Sequence, residues 1–380
     1  MKIVQVSPYA MDRPGGVQSH VRDLSNWLER QGHDVQIIAP PGKGGAPDVM
    51  TLGKVREISM HGTHFELSRA SKSEIEGASM ALFDWGADVV HLHTPWTPML
   101  GWQVWKALEL PTVATFHATL PEGGGFDPMT WFLGRAAKYF DERLEGIVVP
   151  SRAPQAQWEA RGHDPVPKIL APAIDLSEWR DVRQGPRHSE DGPHVIYLGR
   201  LEERKGVQVL VEAWKEVSRR LPAARLTIAG KGSMEGALRE AAQGMRSIRF
   251  LPPPDNEAAR ALVARADFFA APATGGESFG LVLIEAMAAG TIPIAAENEG
   301  YATVLANGGE TLLVPPGDPA ALADRIVLLA SDQQKALDLR TWAMARAETF
   351  DVAQVGPRYV ALYQAAVDKH GASMPACDET

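Results

Sequence analysis

The sequence GGESFGLVLIEAMAAG (residues 275–290) decides how the second half of the chain folds. The apolar run DFFAAP (267–272) just before it is typical of a buried strand, and three glycines then supply a flexible turn. Residues 281–289 are strong helix formers, and Gly290 stands where a helix-terminating glycine is expected. The stretch therefore predicts a strand, a glycine loop and a helix.

Two carboxylates flank this loop-to-helix junction, Glu277 on the loop and Glu285 inside the helix. The first backbone N–H groups of a helix have no internal partners and carry partial positive charge, so the junction predicts an anion site. Glu285 lies roughly 7.5 Å along the helix at about 1.5 Å per residue, within reach of a ribose attached to a bound phosphate. The pair suits a nucleotide sugar; two solvated surface residues remain the alternative.

Length and composition indicate a two-domain globular protein. A chain of 380 residues exceeds what one hydrophobic core usually supports. Its 45% hydrophobic and 22% charged residues are typical of soluble domains. The net charge of −9, without a block of Lys and Arg, argues against broad nucleic-acid binding.

A single cysteine, Cys377 in a polar tail, excludes disulfides and thiolate metal clusters and fits a reducing cytoplasm. We expect no signal peptide in MKIVQVSPYAMDRPGG and find no apolar run of membrane-spanning length. Residues 129–143 mix aromatic and basic side chains, which leaves peripheral contact with the inner membrane face open. An ordinary amphipathic core helix is the favoured interpretation.

Apolar strands alternate with helices in two series. The first series has strands at 2–7, 34–39, 88–93, 112–116 and 146–150, and the second has strands at 194–198, 225–229, 248–251, 267–272, 292–295 and 311–314. Residues 40–87 give no clear pattern. Strands without polar alternation, separated by helices, predict α/β domains with parallel sheets covered on both faces.

We therefore expect an N-terminal domain of residues 1–185 and a C-terminal domain of residues 186–380, each Rossmann-like. The polar, Gly- and Pro-rich stretch 181–193 is the expected linker. A return of the last helix (about 352–369) to the N-terminal domain is left open.

Ligands of such sheets bind beyond the carboxyl ends of the strands. Gly15 and Gly16 follow the first strand, where a backbone without side chains can approach a phosphate or sugar closely. His117 follows the strand TVATF, and Arg200 and Lys205 lie on the loop GRLEERKG. A plain turn, a satisfied core histidine and a solvated charged loop are the respective alternatives.

The chain has no Asp-x-Asp pair and no His-Glu-x-x-His motif. Fixed cations are therefore the expected means of neutralising a leaving diphosphate, and Arg and Lys can both serve.

Four motifs, in this order and at these separations, resemble glycosyltransferase family 4: PGGV, TFHA, GRLEERKG and GGESFGLVLIEAMAAG. The resemblance covers nearly the whole chain, and the last motif, with seven residues between its glutamates, is specific. It implies the GT-B fold of two facing Rossmann-like domains. Within the family, the motifs are most similar to those of bacterial phosphatidylinositol mannosyltransferases.

The resemblance also implies a set of site residues, with Gly16 approaching the transferred group. Catalytic roles fall on His117, Arg200, Lys205 and Glu277. Donor binding falls on Gly15, Gly16, Arg200, Lys205, Ser278, Phe279, Gly280, Leu281 and Glu285. No metal and no cofactor is implied, and transfer is expected to retain anomeric configuration.

By the same resemblance, Arg200 and Lys205 hold the diphosphate, Glu285 binds the ribose and His117 contacts the sugar. Glu277, with the backbone of Phe279 and Gly280, meets sugar and phosphate. One turn departs from the family pattern: residues 171–175 read APAID where many relatives read PNGVD, so we expect this turn to be rebuilt.

The expected function is a retaining, metal-independent hexosyl transfer from GDP-mannose to a lipid-linked or glycan acceptor. The donor is favoured only through the resemblance, with UDP-glucose or UDP-N-acetylglucosamine behind it. Alternatives are a UDP-sugar-dependent transferase with a small acceptor, a nucleotide-sugar 2-epimerase, or a non-catalytic nucleotide-sugar binder.

Overall fold

A computed structural model describes residues 1–13, 15–60, 63–95, 100–117, 135, 138–140, 142–160, 162, 166–183 and 192–373. The chain divides into two compact units. The first comprises Met1–Asp175 with Val352–Thr380, and the second comprises Leu176–Asp351.

The sequence placed the boundary at residue 185, whereas the second unit begins at Leu176. Side-chain contacts explain the earlier boundary, because Arg180 Nη1 lies 2.7 Å from a carboxylate oxygen of Glu348 and 2.9 Å from one of Asp351. Residues 184–191 of the expected linker lie outside the described residues.

The first unit contains a seven-stranded parallel sheet and a separate antiparallel hairpin. Its strands are β1 (Lys2–Val6), β2 (Asp34–Ala39), β3 (Val49–Thr51), β4 (Lys54–Met60), β5 (Thr63–Arg69), β6 (Val89–His93), β7 (Thr112–Thr115), β8 (Gly146–Val149) and β9 (Lys168–Ile169). The sheet order is β3-β2-β1-β6-β7-β8-β9, and β4 pairs with β5. In the register of the centre, Ile3 lies between Val35 and Val89.

Helices cover this sheet. They are α1 (Gly16–Arg30), α2 (Lys72–Trp85), α3 (Leu100–Leu108) and α4 (Arg152–Ala160). The sequence did not resolve the hairpin or α2, although α2 begins with a capping box in which Ser71 and Glu74 satisfy each other's backbone N–H groups.

The second unit has a six-stranded parallel sheet of order β12-β11-β10-β13-β14-β15. Its strands are β10 (His194–Leu198), β11 (Arg225–Ala229), β12 (Ile248–Leu251), β13 (Phe268–Ala271), β14 (Ile292–Ala296) and β15 (Leu313–Val314). Its helices of five or more residues are α5 (Ser177–Asp181), α6 (Val207–Arg220), α7 (Glu235–Ala241), α8 (Asn256–Ala264), α9 (Leu281–Ala288), α10 (Glu299–Leu305), α11 (Pro319–Ser331) and α12 (Gln333–Glu348).

Both sheets are parallel with helices between their strands, so the predicted α/β class with two Rossmann-like series is confirmed. Strands β10, β11 and β12 have the bounds that the sequence predicted. Strands β10 and β11 are easy to predict because their central residues are buried, which keeps the sequence largely apolar.

The last helix, α13 (Val352–Ser373), belongs to the first unit. Its Tyr359 and Tyr363 side chains are fully buried in one apolar cluster with Leu24 and Trp27 of α1. Gly356 makes the close approach to α1 feasible, because a Cβ atom there would lie 2.6 Å from the Trp27 ring. The helix therefore completes the core of the first unit.

None of the helices in the described chain combines the length and hydrophobicity needed to cross a bilayer. The aromatic and basic segment 129–143 falls partly outside the described residues. Of its described part, Phe140 is buried in the core of the first unit and Tyr139 packs against that core.

Two glycines of α13 provide a test of this packing. Gly356→Ala should lower the free energy of unfolding by roughly 1–3 kcal/mol through overpacking against Trp27. Gly371→Ala, at an exposed position with no atom within 4 Å of the added Cβ, should leave it unchanged or raise it by up to about 1 kcal/mol. Urea denaturation of both variants measures the difference, and equal effects would contradict the packing.

Candidate functional site

Two loops of the second unit pack against each other at the carboxyl ends of β10 and β13. Gly206 ends the first loop with a φ of 67°, and a Cβ atom there would lie 1.9 Å from the carbonyl oxygen of Pro272. The backbone N–H of Thr274 donates to the carbonyl oxygen of Arg204 at 3.0 Å. The loop GRLEERKG is therefore held against the loop that leads into α9.

Charged side chains of the two loops form one chain of ion pairs, which we call the cation cluster: Arg200, Glu202, Arg204, Lys205 and Glu277. Lys205 Nζ lies 2.5 Å from Glu277 Oε1, and Arg204 Nη1 lies 3.4 Å from the same oxygen. Glu202 bridges Arg204 at 3.2 Å and Arg200 at 2.8 Å. Three cations face two carboxylates, so the cation cluster carries a formal charge of +1.

Burial differs along the cation cluster. The Glu277 side chain is 12% exposed and that of Lys205 21%, whereas that of Arg200 is 60% exposed. The Lys205–Glu277 pair is thus held in a fixed, partly dehydrated place, where charge is less screened by water than at an open surface.

The sequence predicted Arg200, Lys205 and Glu277 as site residues, and the structure brings all three together. It adds Arg204, which the sequence analysis did not single out although it lies on the same loop. Glu277 was expected on the far side of a bound phosphate, beside the hexose. In the structure its carboxylate contacts the cations themselves.

Helix α9 starts beside this loop as predicted. Gly280, with a φ of 112°, precedes its first residue Leu281, and no described side chain caps its first N–H groups. Phe279 is buried edge-to-face on Phe350, with ring centroids 5.6 Å apart. These contacts fix the loop backbone that leads into the helix.

Ser278 is half-buried on this loop, and Glu285 is half-buried one turn into the helix. The predicted terminator Gly290 follows α9 with a φ of 78°, a left-handed conformation suited to glycine. The predicted strand, glycine loop and helix are confirmed.

Two buried tyrosines line the same region. The Tyr197 hydroxyl donates to the carbonyl oxygen of Arg200 at 2.7 Å, which anchors the start of the GRLEERKG loop. Burial, reinforced by the negative charge of Glu277, raises the pKa of Tyr197 and of Tyr301. Both hydroxyls therefore stay protonated donors at physiological pH.

In the first unit, Gly15 and Gly16 form the start of α1. Gly15 caps the helix in an extended conformation, and its carbonyl accepts from the Ser19 N–H at 2.9 Å. His20 lies one turn further, and its ring centroid is 5.0 Å from that of His117. The structure thus connects the predicted glycine pair with the predicted histidine through His20.

Four histidine rings from three places in the sequence pack together; we call them the histidine cluster: His20, His91, His93 and His117. His91 and His93 have ring centroids 4.0 Å apart, and His93 stacks on His117 at 5.2 Å. All but the half-buried His117 are fully or almost fully buried. The sequence predicted only His117, because nothing in single motifs shows that the other three meet it.

Burial lowers the pKa of every ring in the histidine cluster, and neighbouring histidines lower that of His91, His93 and His117 further. The pKa of His20 falls to about 4, although its backbone hydrogen bond to Ala173 opposes the shift. All four rings are therefore neutral at pH 7.

Nitrogen atoms of His20, His93 and His117 lie within 4.8 Å of one another, a spacing that a metal ion could use. The hydrogen bonds argue against that use. His93 Nδ1 and His117 Nε2 are hydrogen-bonded to each other at 2.9 Å. His20 Nδ1 lies 2.8 Å from the backbone nitrogen and 3.3 Å from the carbonyl oxygen of Ala173. The donor set fits a hydrogen-bonded cluster better than a metal centre.

Ala173 lies in the turn 171–175, where the sequence departs from the family pattern. Besides holding His20, this turn is fixed by the Asp175 N–H, which donates to Asp23 at 2.9 Å, and by an ion pair of Arg30 with Asp175 at 2.9 Å. The turn therefore serves to position α1.

Comparison with known proteins gives matches along most of the chain. A family model described as Glycosyltransferase Family 4 matches residues 14–178, and one described as Glycosyl transferases group 1 matches residues 192–332. The phosphatidyl-myo-inositol mannosyltransferase of Mycolicibacterium smegmatis is 33% identical over 96% of this chain and 94% of its own. That of Propionibacterium freudenreichii is 31% identical over 98% and 97%.

Solved structures share the fold at lower identity. Anabaena HepE, in complex with UDP and glucose, has a TM-score of 0.74 and 17% identity, covering 96% of this chain and 99% of its own. Sucrose-phosphate synthase from Thermosynechococcus elongatus has a TM-score of 0.73 and 22% identity, covering 98% and 100%.

The neutral histidine cluster makes stability depend on pH. Because folding lowers these pKa values below the usual value of about 6.5, the unfolded chain binds more protons as pH falls. The free energy of unfolding is therefore highest above about pH 6.5. It falls as the pH drops toward the folded-state pKa values, about 4 for His20. Between its unfolded-state and folded-state pKa values, each such histidine should lower the free energy of unfolding by roughly 1.4 kcal/mol per pH unit.

Urea denaturation of the first unit at pH 7.5 and pH 5.5 measures this effect. His91→Gln should show a smaller loss of stability than the wild type over the same interval, since one neutral ring is gone. Equal stability of the wild type at both pH values would contradict the buried neutral cluster.

Proposed function

The chain belongs to glycosyltransferase family 4, and from that premise we propose that it moves a hexose from a nucleoside diphosphate sugar to a hydroxyl of a lipid-linked or glycan acceptor, with retained anomeric configuration. It is a glycosyltransferase of the GT-B fold, as its family and its fold neighbours establish. Donor, acceptor and stereochemistry are the proposal.

GDP-mannose is the favoured donor and phosphatidylinositol the favoured acceptor. The support is that relatives named phosphatidyl-myo-inositol mannosyltransferase share 31–33% identity over 96–98% of this chain. The UDP complex of HepE carries less weight for the donor base, since its 17% identity supports the fold alone. A lipid acceptor would require the protein to work at a membrane surface, and we place it peripherally at the inner face.

The cation cluster beside the uncapped start of α9 is the observation that carries the donor assignment. Arg200, Arg204 and Lys205 are fixed donors to phosphate oxygens, and the first N–H groups of α9 add partial positive charge. A diphosphate gains negative charge as its bond to the sugar breaks, so preorganised cations stabilise the transition state more than the bound donor.

Because these cations are fixed in place, the proposed reaction needs no metal ion. A net charge of +1 in a partly dehydrated loop neutralises part of a diphosphate in the way that a divalent cation does elsewhere. The acceptor hydroxyl would lose its proton to the departing phosphate oxygen on the same face of the sugar, which retains the configuration.

Glu277 has a different task in this scheme from the one its sequence position suggested. Its carboxylate holds Lys205 and Arg204 in place before the donor binds. A bound diphosphate then shares these cations, and the carboxylate remains near the charge that develops on the sugar. Glu285, one turn into α9, is proposed to accept hydrogen bonds from the ribose.

The remaining predicted residues have supporting roles in the proposal. Backbone groups of Ser278, Phe279, Gly280 and Leu281 would meet the phosphates, and Gly15 and Gly16 would allow the transferred group to approach. His117 is proposed to contact the transferred hexose.

Two other classes of function stay testable. A nucleotide-sugar 2-epimerase would isomerise the donor without any acceptor. A non-catalytic binder would bind the donor without releasing nucleoside diphosphate. Incubation of the protein with the donor alone, followed by sugar analysis, separates both from a transferase.

We expect the protein, GDP-mannose and phosphatidylinositol vesicles to yield a mannosylated lipid detectable by mass spectrometry, with EDTA present. Lys205→Ala should lower turnover by roughly 10²-fold or more, by analogy with loss of one transition-state donor at about 2.7–4 kcal/mol. Lys215→Ala, which removes an exposed lysine paired with Glu212 on α6, is the matched control. Near-normal turnover of Lys205→Ala would refute the diphosphate assignment.

Substitutions of Glu277 and Glu285 should affect nucleotide affinity and turnover differently. Glu285→Gln weakens a charge-assisted hydrogen bond to ribose, so the affinity for free nucleoside diphosphate should fall by roughly 10- to 100-fold. Glu277→Gln frees Lys205 and Arg204 of a competing negative charge, so that affinity should stay equal or rise while turnover falls. Calorimetry beside steady-state rates tests both, and a common loss of nucleotide affinity would contradict the assigned roles.

A further inference from the structure

Buried hydrogen bonds in the first unit form a continuous chain from Thr115 to His117. The Gln5 amide, between Tyr363 and His93, sets the direction of this chain. Its nitrogen Nε2 donates to the Tyr363 oxygen at 3.0 Å.

The tautomer of His91 follows from this donation. The Tyr363 hydroxyl accepts from Gln5 and gives its own proton to His91 Nδ1, 2.8 Å away. Neutral His91 thus carries its proton on Nε2, which donates to the Thr115 oxygen at 2.8 Å.

The Gln5 amide links Tyr363 to His93 and decides which nitrogen of His93 carries the proton. With its own proton given to His91, the Tyr363 oxygen accepts from Gln5 Nε2 at 3.0 Å. This places the Gln5 carbonyl oxygen toward His93, where it accepts from Nε2 at 2.7 Å. His93 is therefore unprotonated on Nδ1.

The last bond reaches His117. Because His93 Nδ1 can only accept, His117 Nε2 must donate to it across 2.9 Å. The other nitrogen of His117, Nδ1, carries no proton when the ring is neutral. Among the described residues, Nδ1 has no hydrogen-bond partner, and His117 is the one half-buried ring of the histidine cluster.

We propose that Gln5 and Tyr363 are positioning residues that hold His117 in the tautomer with an unprotonated Nδ1. His117 then recognises its ligand as a hydrogen-bond acceptor, and the matching group is a hydroxyl that donates. Resting on the proposed function, this hydroxyl belongs to the transferred hexose. An ether oxygen, a carbonyl or a phosphate oxygen does not satisfy that nitrogen.

Burial and charge agree with this assignment. The rings and hydroxyls that face His117 and the buried chain from α1, β6 and α13 are His20, His91, His93, Tyr359 and Tyr363. Burial lowers the pKa of the histidines and raises that of the tyrosines, so each keeps the neutral form that the chain of bonds requires. Helix α13 thereby couples the end of the sequence to a site residue.

The test is a direct reading of the ring nitrogens by NMR on the full chain with ¹⁵N-labelled histidine and no substrate. His117 signals are assigned by their loss in His117→Gln. We expect the wild-type ring to be protonated on Nε2 and unprotonated on Nδ1. Protonation on Nδ1 would overturn the proposal regardless of whether the protein transfers a sugar.

Two variants test the positioning residues themselves. Gln5→Met removes the amide but keeps the length, and Tyr363→Phe removes the hydroxyl between Gln5 and His91. Either change should convert His117 to a mixture of tautomers and lower turnover roughly tenfold, with unchanged nucleoside diphosphate affinity. Tyr139→Phe, in the same unit but outside the chain of bonds, should leave the ring signals and turnover unchanged.

An unaltered His117 tautomer in both variants would overturn the positioning role. If neither variant folds, the wild-type measurement decides alone, since it needs no substitution in the chain. Absence of sugar transfer by the wild type, with the expected tautomer present, would instead count against the proposed function.

Discussion

The Glu277 carboxylate is the constraint on which the second unit's site depends. Like charges on Arg204 and Lys205 would repel each other on one short loop, and the carboxylate between them removes that cost. It reaches them because Gly206 lets the two loops approach to backbone contact. The result is a set of cations fixed before any ligand arrives, with one positive charge to spare.

The candidate site of the first unit is uncharged, in contrast to the cation cluster of the second unit. Its four histidines are neutral, and the protons of His91, His93 and His117 are ordered by hydrogen bonds that run through Gln5. Neutral acceptors recognise hydroxyl groups, whereas fixed cations recognise phosphates.

Sequence reasoning succeeded where local pattern decides structure. Strands β10 to β12 and the loop before α9 follow from apolar runs and glycines. The roles of Lys205 and Glu277 stay predictions, although the structure brings the two side chains together. Sequence reasoning missed the hairpin β4–β5, where polar and charged residues interrupt the apolar ones along the sequence. It also missed Gln5, His20 and Tyr363, because residues up to 358 positions apart meet only through the register of β1, β6 and α13.

A crystal structure with a bound nucleoside diphosphate sugar tests the central claim most directly, because it locates the phosphates relative to the cation cluster. The account predicts phosphate oxygens within hydrogen-bond distance of Lys205 Nζ and the first N–H groups of α9, with the ribose at Glu285. Phosphates bound away from Lys205, with the Lys205–Glu277 pair untouched, would contradict it.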